Sequence, residues 1–103
     1  MKSRLVSQTM SSKQIIEIGL GSIGKVKIIK ALAEENKLAT IYVLHKKTHW
    51  KREDIKNNIS DLVMIGWVIQ SKYANIMYGI NRENKYVSEL IKFFNNVGYI
   101  GQQ

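Results

Sequence analysis

Cysteine is absent from this 103-residue chain, which excludes disulfides and thiolate metal sites. Proline is absent too, so every break in regular structure has to come from glycine, asparagine or a capping side chain. Histidine is limited to His45 and His49. They stand four apart, a helical spacing, but a turn is expected between them and no carboxylate completes a zinc-ligand pattern. No metal or cofactor is therefore expected. No apolar run approaches the roughly 20 residues needed to cross a bilayer. The first ten residues lack the apolar stretch of a signal peptide, so the expected location is the cytoplasm.

Acid is scarce. Sixteen Lys and Arg face eight Asp and Glu, a formal charge of +8. The imbalance is uneven: residues 1–30 carry six basic side chains against Glu17 alone, whereas residues 51–71 carry three of each sign. A positive potential of this size favours polyanions, nucleic acid above all, although a solvated basic surface has the same composition.

What is present fits one compact domain, small enough to gain from a dimer interface. Residues 1–12 are polar and read as a flexible basic N-terminal arm, leaving 13–103 as the domain. Ile15, Ile16, Ile18 and Leu20 form a short apolar segment compatible with helix or strand. Ser22 is placed to cap a helix from about Ile23 to Glu35, with Val26, Ile29, Leu32 and Ala33 at helical spacing. Lys37, Leu38 and Ala39 make a short extended connection. Thr40 then caps a helix from Ile41 to about Thr48, and His49 and Trp50 make a turn. The next helix runs from about Arg52 to Ile65 and ends at Gly66.

Residues 67–70 and 76–80 are β-prone, separated by a loop short enough for a hairpin. Asn81 is placed to cap a last helix over about residues 82–97, stopped at Gly98. The predicted class is mostly α with a small β-hairpin wing. Helix, short strand, helix, turn, helix, hairpin, helix is the order of a winged helix-turn-helix with an extra C-terminal helix.

On the helix that begins at Arg52, Ile55, Ile59, Leu62 and Val63 share one arc, and Glu53, Lys56, Asn57 and Ser60 lie on the other side. Every helix needs a polar outer face. Behind a tight turn, though, such a face enters a DNA major groove about 12 Å wide with hydrogen-bonding side chains outermost. Trp50 reads as a core residue wedging the two helices apart.

The stretch GSIGKVKIIKALAEENKLATIYVLHKKTHWKREDIKNNISDLVMIGWV resembles the winged helix-turn-helix regulators common in archaea. Their pattern is a Gly-Ser opening, a short strand, a Thr-Gly-apolar turn and a Leu-x-x-x-Gly-apolar-Val end. The likeness spans about residues 19–83 and departs at the turn, where His49 replaces the usual glycine and takes on left-handed strain. It implies sequence-specific double-stranded DNA binding as a transcriptional regulator, nucleoid-associated when bound. The helix from Arg52 would lie in the major groove, and the wing over 71–75 against backbone or minor groove. The candidate DNA-binding residues are Lys51, Arg52, Glu53, Lys56, Asn57, Ser60, Lys72 and Tyr73. A winged helix also serves protein–protein contact in transcription or replication assemblies, and that alternative stays open.

Catalysis is not expected. Residues 19–26, GLGSIGKV, match both G-x-x-x-x-G-K and G-x-G-x-x-G, but Val26 stands where a phosphate loop needs a hydroxyl for magnesium. No strongly β-prone strand precedes them. Asp54 and Asp61 read as solvated charges rather than a carboxylate pair.

On the last helix Tyr86, Val87, Leu90, Ile91, Phe93, Phe94 and Val97 fill an arc of about 160°, wider than the stripe of about 100° that one core needs. A homodimer through Tyr86, Leu90, Phe93, Phe94 and Val97 is one way to cover the excess. Cover by the segment holding Ile15, Ile16 and Ile18 is the other.

Overall fold

Side-chain caps decide where four of the five described helices begin. In the computed structural model, which describes residues 10–35 and 37–101, Ser11 and Gln14 form a capping box at the head of α1 (Ser12–Gly19). Ser22 Oγ accepts from the Lys25 amide at the start of α2 (Ile23–Glu34), and Thr40 Oγ1 from Val43 at the start of α3 (Ile41–Thr48). Lys51 precedes α4 (Arg52–Met64) without a side-chain cap, and Glu53 and Asp54 place negative charge in its first turn. Gly66, at φ 82°, turns the chain out of α4 into β1 (Val68–Ser71). β2 (Met77–Ile80) pairs antiparallel with β1, Val68 opposite Ile80 and Ser71 opposite Met77. Asn84 caps α5 (Lys85–Asn96).

The result is a mostly helical α+β domain of five described helices and one two-stranded antiparallel sheet. The extended connection between α2 and α3 joins that sheet by one bridge: Ala39 and Tyr78 each donate an amide to the other's carbonyl, both at 2.8 Å. None of the described helices is long and apolar enough to cross a membrane.

Three expectations need adjustment. The apolar segment after Ser11 is helical, because the Ser11–Gln14 box sets its first turn, and the helix closes at Leu20. Helix therefore starts at Ser12, inside the stretch read as an arm, whose residues 1–9 lie outside the described residues. The last helix begins at Lys85, not 82. Asn81 is otherwise engaged: its amide group donates to the Gly66 carbonyl at 2.8 Å and its Oδ1 accepts from the Glu83 amide, holding a turn that Asn84 then closes.

The core joins Ile28, Ile29 and Leu32 of α2, Leu44 of α3, Ile55, Ile59 and Leu62 of α4, Trp67 and Val68, and Val87 and Phe94 of α5. Trp67 is wholly buried and stacks on Tyr86 with ring centroids 6.0 Å apart. Its indole N–H has no hydrogen-bond partner among the described residues. Burial of an unmade donor costs about 1–3 kcal/mol, so the ring stays inside through its packing alone.

Candidate nucleic-acid interface

The joint between α3 and α4 is wired by its own side chains. Thr48 Oγ1 donates to the Leu44 carbonyl at 2.8 Å and accepts from the Trp50 amide at 3.2 Å. His45 Nδ1 lies 2.6 Å from the Trp50 carbonyl, which only accepts, so this nitrogen carries the hydrogen. That use draws His45 into the turn. Among the described residues no three His, Asp or Glu side chains gather as a metal site would require. Trp50 is half-buried against the core, with its ring beside Gly24, where an added Cβ would lie 2.8 Å from Cζ3.

His49 closes α3 with φ 65°, the left-handed backbone expected at this departure from the glycine pattern. A residue with a Cβ costs about 1–2 kcal/mol there and glycine does not. His49→Gly is expected to stabilise the domain by about 0.5–1 kcal/mol after the extra freedom of unfolded glycine is offset. The check is a higher denaturation midpoint at unchanged slope. A lower midpoint would mean that the exposed imidazole contributes more than the strain removes.

Three sides of α4 are engaged and one is open. Ile55, Ile59 and Leu62 face the core. Asn58 Oδ1 accepts from Ser22 Oγ at 3.1 Å, and Asp61 pairs with Lys25 at 2.9 Å, fastening one flank to the start of α2. Along the other flank Lys56, Ile59, Ser60 and Val63 line a shallow groove with Gln70 and Tyr78 of the hairpin. There Gln70 donates to the Tyr78 hydroxyl at 3.2 Å. Outward stand Lys51, Arg52, Glu53, Lys56, Asn57 and Ser60, all exposed. Lys72 and Tyr73 lie beyond the groove at the hairpin tip, with Tyr73 99% exposed. Helix residues and hairpin residues thus meet at Lys56, Ser60 and Gln70.

Two participants have no counterpart among the sequence-derived candidates. Tyr42 of α3 is 53% exposed, and the Arg52 guanidinium sits 5.4 Å from its ring centroid. Lys46, one turn along α3, sits 5.8 Å from the same centroid. Only the crossing of α3 and α4 brings Arg52 to Tyr42, so no spacing along the chain signals the cluster. Among the described residues four cations are tied to carboxylates: Lys25 to Asp61, Lys30 to Glu34, Lys47 to Glu35 and Lys92 to Glu89. Lys46, Lys51, Arg52, Lys56 and Lys72 take part in none of the ion pairs among the described residues.

No known protein family matches the chain, and no curated protein or solved structure matches it either. Function has to be read from the side chains.

The glycine-rich segment is accounted for by packing. Lys25, which a phosphate loop would point at its ligand, is 8% exposed and bonded to both Asp61 and the Ile18 carbonyl, the latter at 2.8 Å. A Cβ on Gly19 would run into the Trp67 ring. One on Gly24 would come within 2.6 Å of the Asn58 amide nitrogen. Asp61 is half-exposed and held by Lys25, while Asp54 is exposed.

The wide apolar arc of α5 is divided. Phe94 is a correction: at 6% exposure, with the Tyr99 ring edge-on at 5.0 Å, it belongs to the core of its own chain. Tyr86 and Leu90 are half-buried, and Tyr86 meets Ser12 Oγ at 2.7 Å, so α1 covers part of the arc. Phe93 and Val97 remain open, and an apolar groove between α1 and α5 is bounded by Ile16, Leu20, Leu90 and Phe93.

Proposed function

We propose that the chain is a winged helix-turn-helix protein that binds double-stranded DNA sequence-specifically, as a transcriptional regulator and without catalysis. α4 would enter the major groove, with the β1–β2 hairpin as the wing. The carrying observation is the open face of α4: Lys56, Asn57 and Ser60 are exposed beside cations of α3, of the head of α4 and of the hairpin that have no carboxylate partner among the described residues. Short polar side chains there suit base edges, and free cations suit phosphates.

The test separates readers from anchors. A binding site is first selected from a pool of random duplexes. Asn57→Ala is expected to cost about 1–3 kcal/mol on that site and little on random duplex, if Asn57 addresses a base through two hydrogen bonds. Lys72→Ala should weaken every sequence about equally. Equal loss from both variants would remove α4 as the reading element. No binding to any duplex at low salt would favour a winged helix that contacts protein.

The reading extends to a two-fold dimer through the α1–α5 face. Exposed Phe93, Val97 and Ile16 alternate there with charges of both signs, Lys13 and Glu17 on α1 and Glu89 and Lys92 on α5. A second copy would meet opposite charges, and pairing two reading helices about one DNA turn apart supplies specificity that one small domain lacks. Light scattering at micromolar concentration should give about twice the 11.9 kDa of the chain, reverting to one copy on Phe93→Glu without unfolding. A mass of one copy for the unaltered protein overturns the dimer.

A further inference from the structure

Two cations share one aromatic ring at the junction of α3 and α4. Lys46 follows Tyr42 by one helical turn, and Arg52 reaches the ring from the first turn of α4. Both lie within 6 Å of the centroid, the range in which the ring's quadrupole attracts a cation. Like charges drawn together repel, and the usual remedy is a carboxylate between them. None serves here, since neither Lys46 nor Arg52 enters any ion pair among the described residues. The cluster is also exposed, so a partner from outside can reach it.

We infer that Tyr42, Lys46 and Arg52 form a phosphate-binding site, with Tyr42 as the positioning residue that holds both cations toward one anion. This rests on the DNA-binding reading for its natural ligand, a backbone phosphate beside the groove that α4 enters. The guanidinium presents a planar fork matched to two phosphate oxygens, and the ammonium adds a point charge. Drawing Arg52 to the Tyr42 ring removes rotamer freedom before the ligand arrives, and the Tyr42 hydroxyl is a further donor within the cluster. Arg52 then anchors α4 in the groove and does not read a base. Its neighbour Asn57, one and a half turns on, is left as the reader.

Two probes distinguish the sources of phosphate. The first is inorganic phosphate, titrated against chloride at equal ionic strength while backbone amide signals of residues 42–53 are followed by NMR. The second is duplex DNA, random and selected, with affinities for the wild type, Tyr42→Leu and Tyr42→Phe. Thermal unfolding of each variant checks that the half-exposed position leaves the fold intact.

Tyr42→Leu is expected to lose roughly five-fold or more in affinity, by the same factor on random and selected duplex. Tyr42→Phe keeps the ring face and should keep most of the affinity. Arg52→Ala should cost less in the Tyr42→Leu background than alone, because the two act as one unit. A purely structural role for Tyr42 would leave the losses from Tyr42→Leu and Arg52→Ala additive. If wild type binds duplex and Tyr42→Leu binds it equally well, the phosphate site is overturned and the DNA reading stands. Shifts with inorganic phosphate but no duplex binding would support the site and sink the DNA reading. Silence with both probes overturns the site.

Discussion

Affinity for random duplex should collapse by roughly 500- to 20,000-fold as salt rises from 50 to 200 mM. Each phosphate neutralised by a Lys or Arg releases condensed counterion, and log affinity falls with log salt at a slope of about −0.9 per contact. Lys46, Lys51, Arg52, Lys56 and Lys72 are exposed, and none of them is in an ion pair among the described residues. Not every one reaches a phosphate, and about five to eight contacts for a dimer give the stated range. Lys25, Lys30, Lys47 and Lys92 are ion-paired with carboxylates and should add little to the slope. Fluorescence anisotropy on a labelled duplex measures it directly. A flat response would mean that the open cations do not meet phosphates, and the face would then be assigned to a protein partner.

The second large effect concerns Gly19 and Trp67, which fit each other so closely that neither can be changed alone. Trp67→Ala removes the largest wholly buried side chain and is expected to cost about 3–5 kcal/mol. Natural domains hold about 5–15 kcal/mol in total, so this variant should be marginal at best. Gly19→Ala acts from the other side. Its Cβ would collide with the Trp67 ring, a rigid indole stacked on Tyr86. A loss of about 1–3 kcal/mol is expected. The decisive measurement is the double variant Gly19→Ala with Trp67→Leu, whose smaller side chain makes room for the new methyl. Its loss in denaturant titration should be smaller than the two single losses together. Strict additivity would show that Gly19 is needed for another reason.

How much of this was legible depends on whether the deciding contact is local. Ser22 and Thr40 could be read as caps because a cap and the amide it satisfies stand three residues apart. His49 could be read as a strained turn for the same reason. α1 carried a local signal as well, a serine three residues before a glutamine, but Ile15, Ile16, Ile18 and Leu20 fit helical spacing and strand alternation alike, which masks it. Asn81 and Asn84 offer the same capping chemistry. Both amide groups reach the Gly66 carbonyl across the fold, and what separates them is that Asn84 Oδ1 accepts from the Tyr86 and Val87 amides while Asn81 Oδ1 accepts from Glu83. Phe93 and Phe94 fall in one arc of a helical wheel. Which of them faces inward is settled by Tyr99 and Ile100 folding back over α5. Tyr42 passes in the sequence for an ordinary exposed helix residue, and only the crossing of α3 with α4 gives it Arg52.

The wholly buried indole of Trp67 makes the protein its own reporter. An indole shielded from water should emit toward the blue, and half-exposed Trp50 further to the red. The two lamps sit at different places: Trp67 deep beneath α1 and α5, Trp50 at the joint in front of α4. A ligand docking on α3 and α4 should alter the red component and leave the blue one steady. Loss of the fold dims the blue component. Emission from the unlabelled chain can therefore tell occupancy from unfolding in a single cuvette.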